Sequence, residues 1–276
     1  MARSANDGRI RRAIATLVAL AILVAACGRD DALQTTTTSR QPTSTTQPTT
    51  STALQTSTAQ APEADQVLFV GNSFAWWNDG LALHFQELAA SATPRVLVEA
   101  DAETMGGAWL QAMWERSRAP TMIATGAYDA VILQEDLPET DVATFREYAR
   151  VFVDHIIANG SEPILFMAWP YERLGWITLE AIAQAHREVA TELDVAVAPV
   201  GLAWQRSVDQ RPDLAMYDSD AEHPSIHGTY LAVSVVYSTV YGESPEGLTY
   251  RPEGITEEEA AYLQRIAWET VVEYQR

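Results

Sequence analysis

A serine hydroxyl becomes a nucleophile only when a base stands ready to take its proton. Ser73 sits in the block Val70-Gly71-Asn72-Ser73-Phe74, just past an apolar run, where a glycine lets the chain turn sharply and present the hydroxyl. A base follows 150 residues later, in Asp220-Ala221-Glu222-His223-Pro224. Three residues apart in a turn or first helical turn, Asp220 and His223 face the same side, with about 5–6 Å between Cβ atoms if helical. A carboxylate so placed takes the imidazole Nδ1–H and fixes the tautomer, leaving Nε2 to act as base. Asp218 and Glu222 are rival carboxylates within reach of the same loop, and the three-residue spacing favours Asp220. Acyl chemistry also needs donors for a developing oxyanion. The Gly106-Gly107 backbone and the Gln134 side chain are the candidates.

These residues must be brought together by strands and helices, and the hydrophobic pattern supplies both. Short apolar runs at 66–70, 95–100, 129–134, 163–168 and 195–200 read as strands. Helical patterns occupy 80–92, 109–118, 141–158, 179–192, 225–241 and 257–274. Alternating strands and helices imply an α/β fold, a three-layer domain whose five-stranded parallel sheet carries helices on both faces. In such sheets ligands sit beyond the carboxyl ends of the strands. Ser73 and Gly107 follow strands and Gln134 ends one, while the aromatic residues Trp76, Trp77, Trp169 and Tyr171 also follow strands. Core packing is the commoner fate of such rings, but Trp76, Trp169 and Tyr171 are candidate walls of an acyl or sugar pocket. His84, His155, His186 and His227 fall at ordinary helix positions.

The order of these blocks resembles the SGNH (GDSL-like) hydrolases. That family's first strand ends in Gly-Asp-Ser or Gly-Asn-Ser, here Gly71-Asn72-Ser73, and its last block is Asp-x-x-His before a helix, here Asp220 to His223. The resemblance spans about residues 66–242. It implies an ester hydrolase with Ser73 as nucleophile, His223 as base, Asp220 as orienting acid, and the Ser73 and Gly107 N–H groups in the oxyanion hole. No metal or organic cofactor is implied. The third block departs from the family, whose Asn donor is absent from Val131-Ile132-Leu133-Gln134-Glu135-Asp136. Some branches similar to carbohydrate esterases use Gln there, which makes Gln134 the candidate third donor. The Gly-x-Ser-x-Gly elbow of another hydrolase class fails, because residue 75 is Ala.

The first 64 residues read as address and tether. Arg3, Arg9, Arg11 and Arg12 precede an apolar run of 14 residues, 13–26, too short for a comfortable span but suited to a secretory signal. The run ends in Val24-Ala25-Ala26-Cys27, which resembles the lipobox of bacterial lipoproteins and makes Cys27 the expected lipidated N-terminus. Residues 28–64 read as a linker: 16 of the 27 residues 34–60 are Ser or Thr, with no aromatic, so chain entropy outweighs any burial. The expected location is the bacterial envelope, outside the cytoplasm. Composition narrows the partners further. Against 37 acidic residues stand 18 basic ones, all Arg, and the net charge of −19 argues against nucleic acid. One Cys excludes an intrachain disulfide and a Cys-based zinc site. The expected activity is hydrolysis of a small acyl ester, with an O-acetylated carbohydrate as candidate substrate. Acyl transfer to another hydroxyl is the near alternative. A lipid-anchored binding protein, which predicts two lobes, is the distant one.

Overall fold

The computed structural model describes residues 64–137 and 139–276. The expected signal segment, the lipidation at Cys27 and all of the linker but Ala64 lie outside the described residues. Five strands, β1 (Asp65–Gly71), β2 (Val98–Thr104), β3 (Ala130–Gln134), β4 (Glu162–Phe166) and β5 (Ala196–Ala198), form one sheet in the order β2-β1-β3-β4-β5. Every pairing is parallel. The α/β fold with its five-stranded parallel sheet is therefore present in a single unit rather than two lobes.

Alternation along β1 explains the apolar runs. Val67 and Phe69 enter one core layer, while Leu68 and Val70 enter the other. The first layer is covered by α2 (Leu81–Ala90), α7 (Val200–Gln210), α8 (Ile226–Tyr241) and α9 (Glu257–Tyr274). The second is covered by α3 (Leu110–Arg116), α4 (Ala119–Thr125), α5 (Val142–Ala158) and α6 (Leu179–Leu193). Both faces of a parallel sheet are thereby sealed, which is why its strands read as continuous apolar stretches. Helix α8 is buried over nearly its whole length, so its serines and threonines turn inward. Ser234, Ser238 and Thr239 each donate to the carbonyl four residues back.

Side-chain caps fix where several helices begin. Asp141 accepts from the Ala143 and Thr144 N–H groups, and Thr178 caps α6. Thr256 and Glu259 form a reciprocal capping box on α9. Ser225 caps α8, two residues after His223, and so fixes the exit of the histidine loop.

Two expectations shift. The second strand runs over Val98–Thr104 rather than 95–100. Its limits follow residue-by-residue pairing with β1, Asp65 to Val98 through Gly71 to Thr104, and its acidic edge gave no apolar signal. The fifth strand stops at Ala198, because Pro199 opens α7 directly. That helix, α4 and the single turn α1 (Ser73–Trp76) were not expected.

Candidate active site

Ser73 is the first residue of α1, beyond the carboxyl end of β1. The turn that carries it is held from three sides. Asn72 caps α1 by accepting the Phe74 N–H at 3.0 Å, and its amide donates to Asp136 Oδ2 at 3.0 Å. Its own N–H donates to Gln134 Oε1 at 2.8 Å. The approach needs glycine beforehand, since a Cβ on Gly71 would lie 2.5 Å from that Gln134 oxygen. Phe74 locks the helix from below. It stacks on Trp169 at 4.6 Å, and Trp169 stacks on Trp204 at 3.8 Å.

His223 Nε2 lies 2.8 Å from Ser73 Oγ, and Nδ1 lies 2.6 Å from Asp220 Oδ2. An ionised carboxylate only accepts, so Nδ1 carries the proton and Nε2 accepts the serine hydroxyl. Asp220 Oδ1 accepts the backbone N–H groups of Glu222 and His223, at 3.0 and 2.9 Å. Partial burial pushes this carboxyl up, but the His223 backbone and ring hydrogen bonds outweigh it and hold it below the usual carboxylate range. The rival carboxylates have other tasks. Asp218 accepts from Trp77 Nε1 and the Ser219 N–H, and Glu222 pairs with Arg173.

The histidine loop is gripped on both flanks. On one, Trp169 Nε1 donates to the Glu222 carbonyl and the Glu172 N–H to that of Ala221. On the other, the Trp77 ring stacks on the imidazole, 4.1 Å between centroids and 20° between planes.

Gln134, expected as an oxyanion donor, lies buried against the turn. Its Oε1 takes the Asn72 N–H, its Nε2 donates to the Glu135 carbonyl at 3.3 Å, and the residue is only 2% exposed. The end of β3 acts as a hub. Gln134 holds the Asn72 backbone, Asp136 holds the Asn72 side chain, and Glu135 accepts the Leu110 N–H at 3.2 Å. That last contact ties the start of α3, and the glycine loop before it, to the same strand end. The loop is also joined to β1 by a Met105 N–H to Gly71 carbonyl bond. Gly107 takes φ +62°, is exposed, and has open space where a Cβ would stand. Neither its N–H nor that of Ser73 has a hydrogen-bond partner among the described residues.

Trp169 and Tyr171, expected as pocket walls, are both buried below the site. Trp169 belongs to the ring stack, and Tyr171 donates to Asp136 Oδ1 at 2.6 Å. Trp76, the last residue of α1, is 46% exposed. The Asp136–Tyr171 contact and the Asn78 contacts with Pro224 and Thr229 gave no signal in the sequence, because each joins residues far apart in the chain. Burial pushes Glu135 up to about 8 and Asp136 up to about 6, against hydrogen bonds that favour their charged forms.

No protein-family model matches the chain, and no curated protein does. Solved structures do. A Slackia heliotrinireducens protein assigned to the SGNH hydrolases is 24% identical, with a TM-score of 0.55 over 64% of this chain and 99% of its own. A DUF4886 family protein from Bacteroides uniformis is 17% identical, with a TM-score of 0.62 over 78% of this chain and 97% of its own. The acetylxylan esterase Axe2 of Geobacillus stearothermophilus is 14% identical, with a TM-score of 0.53 over 64% of this chain and 94% of its own. The chain has the fold of the SGNH hydrolases.

Proposed function

We propose that the protein is a serine esterase that hydrolyses a small acyl ester through Ser73, His223 and Asp220. The observation that carries this reading is the unbroken chain of hydrogen bonds from Ser73 Oγ through the imidazole to Asp220. In the first half-reaction Ser73 Oγ attacks the ester carbonyl carbon while His223 Nε2 takes its proton. The tetrahedral oxyanion accepts from the Ser73 and Gly107 N–H groups. Both are unengaged donors on a helix start and a glycine turn, whereas Gln134 is buried, with its Oε1 on the Asn72 N–H and one Nε2 hydrogen on the Glu135 carbonyl. As the tetrahedral species collapses, the imidazolium returns the proton to the leaving alcohol oxygen, leaving an acyl-serine. Water then attacks, again deprotonated by His223, and releases the carboxylic acid and free serine. Asp220 remains ionised throughout, stabilising the imidazolium.

An acetyl ester of a carbohydrate is the favoured substrate class. The fold shared with an acetylxylan esterase supports it, as does the exposed Trp76 ring, a surface on which a sugar could stack. The basic-apolar-small-Cys order of residues 3–27 supports a lipid on Cys27 and a location outside the cytoplasm.

Two experiments test these points. The full-length chain should hydrolyse 4-nitrophenyl acetate, and Ser73→Ala should abolish turnover without unfolding the protein; full activity in that variant would contradict the reading. Cys27→Ser should release the protein from membranes into the extracytoplasmic fraction. A wild-type protein already free of lipid there would refute the anchor.

A further inference from the structure

Three consecutive residues after α1, Asn78, Asp79 and Gly80, have positive φ, at 52°, 67° and 88°. Only the third is glycine. Two successive non-glycine residues in the left-handed region are sterically costly, and such conformations persist only where surrounding contacts hold them. The contacts here lead to the histidine. Asn78 Nδ2 donates one hydrogen to the Pro224 carbonyl at 2.9 Å and the other to Thr229 Oγ1 at 2.8 Å. Pro224 directly follows His223, and Thr229 is fully buried in the first turn of α8.

The peptide of Asn78 is pinned from behind as well. Its carbonyl accepts from His84 Nε2 at 2.6 Å, while Tyr250 OH lies 2.7 Å from His84 Nδ1. A carbonyl cannot donate, so His84 carries its proton on Nε2 and accepts from Tyr250. His84 is 3% exposed and both of its ring nitrogens are paired. Trp77, one residue earlier, already covers a face of the His223 ring.

We propose that Asn78 is a positioning residue. It latches the segment bearing the nucleophile to the loop bearing the base, and so sets the Ser73–His223 separation. The inference rests on the esterase reading and deepens it. The family blocks carry no trace of the latch, since it acts across 146 residues through a backbone carbonyl.

The test compares wild-type full-length chain with Asn78→Gly and Asn78→Asp, using 4-nitrophenyl acetate and a fluorophosphonate titration of active sites. Glycine accepts the left-handed φ at no steric cost and removes only the amide. Aspartate keeps the shape and tolerates the same φ, but loses both donors, so it serves if the glycine variant fails to fold. The expected result is a kcat per titrated site reduced on the order of 10²-fold, because a small displacement of a reacting group has that effect. KM should stay within about two-fold, since the latch acts only on the reacting groups. In the proton spectrum, the downfield Nδ1–H resonance of His223 should broaden by exchange in Asn78→Gly and stay sharp in Ser73→Ala. A folded, titratable Asn78→Gly or Asn78→Asp with wild-type kcat overturns the latch alone. A wild-type chain that turns over no ester and takes no label overturns the esterase reading, and the latch with it.

Discussion

Two acidic clusters meet near Ser73, built from the same kinds of side chain and differing in burial. Asp218, Asp220 and Glu222 lie on a solvent-facing loop, while Glu135 and Asp136 are each 1% exposed at the end of β3. On the loop, hydrogen bonds outweigh desolvation and pull Asp218 and Asp220 down. At the strand end burial dominates, and Glu135 and Asp136 are pushed to about 8 and 6. The esterase reading requires a charged partner for an imidazolium, and the hydrogen bonds on the exposed loop hold Asp220 in that form. The strand end needs rigid acceptors for backbone and side-chain donors, and burial supplies rigidity while raising the pKa of both carboxyls. Of these five carboxyls, the esterase reading gives electrostatic work to Asp220, while Glu135 and Asp136 hold the strand end and Asp218 and Glu222 hold Trp77 and Arg173.

The largest expected effect breaks the solvent-facing side of the comparison. Asp220→Asn keeps the shape but favours the wrong imidazole tautomer. It should lower kcat on the order of 10⁴-fold, the size seen for the same exchange in a serine protease triad. Its thermal midpoint should barely move, because the carboxylate is 43% exposed. Steady-state kinetics beside a thermal melt checks both halves. Next comes the buried side. Asp136→Ala strands the Tyr171 hydroxyl and one Asn72 N–H, and each unsatisfied buried group costs about 1–3 kcal/mol. Denaturant unfolding should therefore report a loss larger than that of any substitution on the loop.

A third prediction concerns pH. Glu135 has its folded pKa raised from 4.5 to about 8, so the folded state binds the extra proton. Its contribution to stability is complete below about 4.5 and is lost as pH rises through 8. Glu135→Gln should flatten the fall in stability across that window and make the variant the more stable protein at alkaline pH. Asp220 runs the other way. Its contribution is present above the ordinary carboxylate range and is lost only as pH falls below it. Unfolding free energies of the two variants against pH would separate these signs. The smallest effect is Asp218→Asn, which should stay within about 0.5 kcal/mol of wild type and within a few-fold in kcat.

Much of this was readable in the chain, for identifiable reasons. The alternation of strands and helices carries the sheet, because a parallel sheet covered on both faces must be made of apolar runs. The meeting of Ser73, Asp220 and His223 was legible because Asp220 and His223 are three residues apart and Ser73 follows a strand of the same parallel sheet. The task of Gln134 was not. A glutamine offers both a donor and an acceptor, and only the closeness of Gly71 to the end of β3 turns the acceptor towards Asn72. Trp169 and Tyr171 read as pocket aromatics from their place after a strand, but the stack Phe74–Trp169–Trp204 draws the first inward and the Asp136 carboxylate holds the second. Helix α7 was hidden because Pro199 begins it without a loop.

The most direct measurement is covalent capture of the nucleophile. Full-length protein is treated with a fluorophosphonate, digested, and the adduct located by mass spectrometry. A single adduct on the peptide containing Ser73 is expected, formed on the order of 10³-fold more slowly in His223→Ala. An unlabelled protein, or an adduct on any other residue with Ser73 unmodified, would contradict the assignment of Ser73 as the nucleophile.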